Sequence, residues 1–371
     1  MKRHLAQHFS RNLPALRSKL IEQMAANPGP SGRFASFSKE VSSFFGFGTC
    51  EFAPSGRDAL MRAVGLAQEQ GALSHGLEVE ESFVAVPRGH ALLEGLSFAK
   101  PFFYENPKDL QSVLEHEPRI VAMVVEPFQV ARGLLTPVPQ ALELYPTLPA
   151  MKGISVVVDE TISGLGRCGR KLASENTKFD ADFLVLGDVL GAGLLSSGAV
   201  LSNRLESHQP LTFPGAELNA FLAKEVIDLI VRENLIAEAE ERGQVFEKII
   251  LRNYKKFPEL NHFTRQGLLL SLQLNSSRKM MHPLVFAEDF EKFGIHTEAY
   301  DPYVTLAPPL DIDDDETASF MLFLEDYLRE AKLSGKKMKK LLRKEERAAR
   351  WIDGFTSFSR KICQRFFEEK K

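Results

Sequence analysis

The sequence predicts an α/β protein with a mostly parallel sheet covered by helices on both faces. Three observations carry this expectation. The interior strands, such as Ile120-Val-Ala-Met-Val-Val125 and Ile154-Ser-Val-Val-Val158, are continuous apolar runs, as strands buried on both faces require. Helix-length segments separate them. Acids follow two of the runs directly, at Asp159-Glu160 and at Asp188 after Gly187, and strand carboxyl ends are where such sheets gather active residues.

The elements follow in order. Ser55 to Ala67 reads as a helix, because Ser55 with Asp58 makes a capping box and Ala59, Leu60, Ala63, Val64 and Ala67 form one apolar stripe. Its first turn carries free backbone N–H groups and is a candidate anion site at Ser55, Gly56 and Arg57. Ser82 to Val86 is a short strand, followed by Ile120 to Val125, Ile154 to Val158, Phe183 to Leu186 and Gly198 to Leu201. The turn from Gly187 to Gly193 is rich in glycine, so backbone can approach a ligand there, and a charge such as Asp188 needs a partner or a task. Asn219 to Glu241 is read as one long helix on the spacing of Phe221, Val226, Ile230 and Ile236. Gly267 to Leu274 and Tyr303 to Leu310 are strands of a second unit. The acidic loop Asp311 to Glu316 then enters a helix whose first turn favours negative charge.

Four units are expected: a short N-terminal segment 1–45, a large domain 46–240, a small domain 241–330, and a basic amphipathic helical extension 331–371. The extension holds 14 Lys or Arg against 5 Asp or Glu, so the rest of the chain, with a total of -3, carries -12. That contrast suits docking of the extension on the protein's own acidic body, on a protein partner or on an anionic surface, whereas nucleic acid is disfavoured. Cys50, Cys168 and Cys363 are too few and too widely spaced for a disulfide framework or a zinc cluster, so no metal is expected and a reducing, cytoplasmic compartment is. No apolar run has the length of a membrane span, and the first ten residues lack a signal-peptide core.

Three segments carry a resemblance. Val124 to Gly133, with Glu126-Pro127, then Val157-Val-Asp-Glu-Thr-Ile-Ser-Gly-Leu-Gly-Arg-Cys-Gly169, then Phe183 to Gly193, resemble the class III aminotransferases of the ornithine and acetylornithine side. These are pyridoxal-phosphate enzymes of the aspartate-aminotransferase-like fold, type I, with a large mostly parallel sheet and a smaller α+β domain. Ser55-Gly-Arg-Asp-Ala, Thr212-Phe-Pro-Gly215 and Leu306-Ala-Pro-Pro-Leu310 extend the likeness in the family's order. The resemblance implies that Asp159 pairs with the pyridine nitrogen, that Ser55, Gly56 and Arg57 face the phosphate, and that Thr212 reaches the phosphate of a neighbouring subunit in a homodimer. Asp188 falls where the family carries its Schiff-base lysine. Ile162 stands for a glutamine near the ring oxygen, Pro87-Arg-Gly-His90 corresponds loosely to the aromatic-His-Gly loop, and Thr305 replaces an arginine. The register of Arg265 is shifted.

A carboxylate forms no imine. The expectation from sequence is therefore a pseudoenzyme, a degenerate class III fold without transaminase activity, acting as a structural or interaction protein with no cofactor. The alternative is an enzyme that holds pyridoxamine phosphate, pyridoxal phosphate or another small ligand noncovalently in the cleft, with Asp188 as base and Glu126, Glu160 and His90 as ligand contacts. Bland readings stand beside these: a backbone-bound acidic pair for Asp159 and Glu160, a turn cap for Asp188, and a core histidine for His90.

Overall fold

The computed structural model describes residues 8–26, 32–147, 152–177, 179–204, 213–254, 260–274, 282–291 and 296–331. Thr212 and the basic extension beyond residue 331 lie outside them. Residues 49–202 supply a seven-stranded sheet. Its strands are β1 (Thr49–Ala53), β2 (Phe83–Pro87), β3 (Ala99–Phe102), β4 (Ile120–Val125), β5 (Ser155–Glu160), β6 (Phe183–Leu186) and β7 (Gly198–Ser202), in the order β1-β7-β6-β5-β4-β2-β3. The pairs from β3 through β6 are parallel, and β7 runs antiparallel to both neighbours.

Successive residues of the central strands face opposite layers, and both layers are apolar. Val124, Val157 and Val185 pack with Ala59, Leu60, Ala63 and Val64 of helix α3 (Gly56–His75). Val125, Val158 and Leu186 face the other way, into a cluster with Val226 and Ile230 of α6 (Ala216–Arg232). That is the physical content of the continuous apolar runs: with neither face toward water, the strand has no side to give to alternating polar residues. Asp159 continues the α3 side of β5, and Glu160 continues the other. Two helices precede the sheet, α1 (Leu13–Ala26) and α2 (Phe34–Phe45), and α2 packs on α6. Helices α4 (Pro107–His116) and α5 (Pro139–Leu144) lie between β3 and β5 in the chain.

The long helix expected from Asn219 to Glu241 is two helices. The first, α6, stops at Arg232, and α7 (Leu235–Tyr254) starts three residues later. Asn234 takes φ 53°, a left-handed conformation that asparagine tolerates better than most side chains. Its carbonyl accepts from Ala237 N at 3.1 Å and Glu238 N at 3.2 Å to begin the new helix. Apolar spacing persisted across the break because Val226, Ile230 and Leu235 all enter the same core.

The second sheet is antiparallel, in the order β10-β11-β9-β8, from β8 (Leu260–Gln266), β9 (Leu269–Leu274), β10 (His296–Tyr300) and β11 (Tyr303–Ala307). Helix α7, α8 (Pro283–Glu291) and α9 (Asp314–Ala331) pack with it or with one another, and α9 opens with Asp314, Asp315 and Glu316, the charges its N-terminus favours. The start of the described chain is fastened here: Leu310 N donates to His8 O at 2.7 Å, and the Asp311 carboxylate accepts from Ser10 N and Asn12 N, each at 2.6 Å. Among the described residues no helix is long and apolar enough to cross a membrane.

Candidate active site

The carboxyl ends of β4, β5 and β6 bring Glu126, Asp159 and Asp188 to one edge of the sheet. Helix α3 begins at the same edge. Ser55 accepts from Asp58 N at 3.1 Å, the capping box expected from sequence, and Arg57 is exposed. A Cβ on Gly56 would stand 3.0 Å from Gly187 Cα and 3.7 Å from Asp188 N, and one on Gly187 would meet Thr161 O at 2.1 Å. Glycine at both positions is what lets the N-terminus of α3 close on the ends of β5 and β6. The first turn of this 20-residue helix thus sits beside Thr161 and Asp188, its leading amides suited to an anion.

Asp159 is buried. Its Oδ1 accepts from Thr161 N at 2.9 Å, and its Oδ2 lies 3.2 Å from His90 Nε2. The imidazole is off the hydrogen-bond direction, so Nε2 makes a close electrostatic contact rather than an aligned bond. Burial alone pushes the Asp159 carboxyl upward; His90 and Thr161 outweigh it and hold the group below its ordinary range, as an anion. His90 is displaced in the opposite sense from what burial alone dictates: Glu126 and Asp159 together raise it. Glu126 is raised to about 7, by burial first, with His90 offsetting part of that.

The neighbouring acid has a different environment. Glu160 is fully buried, and it accepts from Ser163 Oγ at 2.7 Å, Ala173 N at 3.0 Å and Ser174 N at 2.7 Å. It ties the end of β5 to the 173–176 turn on the face away from Asp159. Asp188 is exposed, and its Oδ1 accepts from Ser197 N at 2.9 Å and Ser196 Oγ at 3.2 Å.

Sequence reasoning missed the groups that frame this cluster. Tyr104 donates its hydroxyl to Glu126 O at 2.9 Å and accepts from Glu126 N at 2.8 Å, a double clamp on the backbone where β4 ends. Gln129 Nε2 donates to Arg88 O at 2.8 Å, fixing the loop that carries His90. The following loop is held from the second sheet, where Thr264 Oγ1 donates to Gly133 O at 2.6 Å and Thr305 Oγ1 to Val130 O at 3.5 Å. Gly133 has φ 74°, and a Cβ there would fall 2.6 Å from the Tyr303 ring. Ile162 packs with Phe128, Val130, Cys168 and Leu269 between the two sheets. The arginine of the Gly-x-Gly-Arg-x-Gly run, Arg167, is buried and donates to Pro308 O at 2.7 Å, which joins that run to the Ala-Pro-Pro segment. Arg265 pairs with Glu240 and Glu247.

The family model for aminotransferase class-III matches residues 95–328, well over half of the chain. The chain belongs to the class III aminotransferases. It is 27% identical over 226 residues to the mitochondrial ornithine aminotransferase of Oryza sativa subsp. japonica, an alignment covering 58% of this chain and 47% of that protein. Ornithine aminotransferase 1 of Staphylococcus aureus (strain MRSA252) is 27% identical over 219 residues, covering 57% and 54%. The chain thus spans about half the length of the curated relatives it matches. Among solved structures, acetylornithine aminotransferase from Elizabethkingia anophelis superposes with a TM-score of 0.75 at 21% identity, covering 88% of this chain and 87% of that one. An ornithine aminotransferase from Toxoplasma gondii gives 0.74 at 22% identity, covering 86% and 82%. The fold is therefore the aspartate-aminotransferase-like type I fold, with a large mixed sheet and a smaller α+β region.

These findings correct the functional expectation drawn from sequence. Membership of a family of cofactor-dependent enzymes, with relatives named as aminotransferases, overturns the pseudoenzyme reading and the expectation that no cofactor is used. The departures from the family pattern at Asp188, Ile162, His90 and Thr305 do not outweigh a match that runs over residues 95–328.

The class III site suits a pyridine ring with a phosphate on two grounds. Asp159 is a buried anion whose oxygens each have one close neighbour, which leaves acceptor capacity for a protonated ring nitrogen. The start of α3 suits a phosphate at Ser55, Gly56 and Arg57. Among the described residues no cluster of side chains has the make-up of a metal site.

Proposed function

We propose that this chain is a pyridoxal-phosphate-type enzyme of amino-group chemistry, working with the pyridoxamine form of the cofactor held without a covalent bond. The observation that carries the reading is the convergence of a buried anionic Asp159 with the N-terminus of α3 at one edge of the sheet. When bound, the cofactor supplies an electron-accepting ring and an amine already in place. Asp159 holds the ring nitrogen protonated, and Ser55, Gly56 and Arg57 take the phosphate. Asp188 stands at the family's lysine position. Its exposure and its fastening by Ser196 and Ser197 suit a base held at the carboxyl end of β6 that removes a proton from a substrate carbon. The substrate class is a small amine or its oxo counterpart.

By family likeness the working form is a homodimer in which Thr212 contributes to the neighbouring phosphate site, and the three scattered cysteines suit a cytoplasmic setting. Units 46–240 and 241–330 are the large and small domains of this reading, and the basic extension 331–371 is a docking segment for an acidic surface.

Titration calorimetry with pyridoxamine phosphate and pyridoxal phosphate tests the proposal, with Asp159→Ala and Arg57→Ala alongside. Saturable binding of the pyridoxamine form, lost in Asp159→Ala and weakened in Arg57→Ala, is expected. Failure of both forms to bind at millimolar concentration overturns it.

A further inference from the structure

Two buried polar atoms beside Asp159 are poorly satisfied: Oε2 of Glu126 has no hydrogen-bond partner, and Nε2 of His90 lies 3.2 Å from Asp159 Oδ2 but off the hydrogen-bond direction. A carboxylate anion with one oxygen left without a donor is costly in such a place, and so is an imidazolium whose N–H is not aligned on an acceptor. The other ring nitrogen adds a constraint. Leu92 N donates to His90 Nδ1 at 3.3 Å, which requires a lone pair on Nδ1 and therefore the neutral ring with its proton on Nε2, facing Asp159. A further proton in the cluster then has its place on the Glu126 carboxyl, whose backbone Tyr104 fixes on both sides.

We propose that Glu126 and His90 hold one proton between them, and that Glu126 is a positioning residue that sets, through His90, the charge Asp159 offers to a ring nitrogen. The groups acting on the pair come from several elements. Asp159 lies on β5, Gln129 on the turn after β4, and Tyr104 follows β3. Tyr300 on β10 is raised mainly by burial, next by Glu298, to which its hydroxyl donates at 3.2 Å, and least by Glu126 and Asp159. His90 is raised against its own burial by Glu126 and then Asp159, while Glu126 is raised by burial and lowered in part by His90, so each group's protonation depends on the other's. Placing a protonated ring nitrogen on Asp159 adds positive charge to the cluster and favours the Glu126 anion. Binding then releases a proton to solvent. This last step rests on the cofactor reading above; the shared proton does not.

Imidazole NMR of the cofactor-free protein, with labelled histidine and His90 assigned through His90→Gln, tests the shared proton directly. The wild-type His90 signal is expected to titrate in two steps rather than one, and in Glu126→Gln its midpoint falls by about one pH unit or more. A single His90 step at the ordinary histidine value in wild type overturns the proposal without any variant, as does an unmoved midpoint in a folded Glu126→Gln. Calorimetry with pyridoxamine phosphate in two buffers of different ionisation enthalpy then reads proton release, expected in wild type and absent in Glu126→Gln. Equal release from both overturns Glu126 as the source. A two-step His90 titration in a protein that binds no cofactor upholds the shared proton and sinks the cofactor reading alone.

Discussion

Changing Glu160 to glutamine keeps the size of the side chain and removes one acceptor from a site that uses three contacts. Ser163 Oγ and Ala173 N both donate to Oε2, and Ser174 N donates to Oε1. With the amide oxygen at the Oε2 position two bonds survive as neutral ones, while the amide nitrogen meets the Ser174 N–H donor to donor. Losing one charge-assisted bond costs about 1.5–3 kcal/mol, and weakening the other two removes about 1 kcal/mol more. An amide is cheaper to bury than an ion, and burial already raises the Glu160 carboxyl against the pull of Ser174, Ser163 and Ala173, so part of the loss is recovered. The expected net loss is about 2 kcal/mol. Urea unfolding at pH 7.5 reads it as a lower midpoint at unchanged slope. Hydrogen exchange at the Ser174 amide should quicken by a factor of about 30, the same free energy read locally. A midpoint within about 0.5 kcal/mol of wild type, with Ser174 protection intact, would refute the assignment of Glu160 as the tie between β5 and the 173–176 turn.

Glu126 gives a pH dependence of definite sign. Its carboxyl rises from 4.5 unfolded to about 7 folded, so between those values the folded state binds more protons and stability falls as pH rises. Glu126→Gln removes this slope and should be close to neutral at pH 5 and more stable than wild type by about 3 kcal/mol at pH 8, measured by urea unfolding; a wild-type slope of the opposite sign would contradict the burial argument. In Gly187→Ala the new Cβ falls 2.1 Å from Thr161 O, so the turn bearing Asp188 must move away from β5. Thermal unfolding should show a loss of about 3 kcal/mol or more, and a variant as stable as wild type would show that the two backbones are not held together.

The central strands were legible because each is apolar on both faces, and Ile120–Val125 and Phe183–Leu186 carry the boundaries read from sequence. The edges were not. Strand β8, Leu260-Asn-His-Phe-Thr-Arg-Gln266, presents half-buried and exposed positions after its first residue, and its polar content resembles that of a loop. The break at Asn234 escaped because an apolar stripe does not register a single left-handed residue. At the site, the strand-end acids and the Ser55 cap were visible, since each has a local signature. The partition between Asp159 and Glu160 was not. Adjacent residues of a strand face opposite layers, and only the fold shows that one layer holds His90 and the other Ser163 and the 173–176 turn. Tyr104 and Gln129 had no signal at all, because their partners are backbone groups distant in sequence.

The loop from Gln129 to Leu135 is gripped at both ends by different parts of the molecule. Gln129 holds the carbonyl of Arg88, two residues before His90, and Thr264, Thr305 and Tyr303 hold Val130 and Gly133 from the second sheet. Such a segment works as a connecting rod. A tilt of the small sheet of even a fraction of an ångström is carried along it into the position of the imidazole, without any side chain of that sheet having to touch the ring. Substitutions on β8 or β11, far from the acids in sequence, therefore reach the electrostatics of Asp159 by way of backbone carbonyls, a route that a map of side-chain contacts around the cleft would overlook.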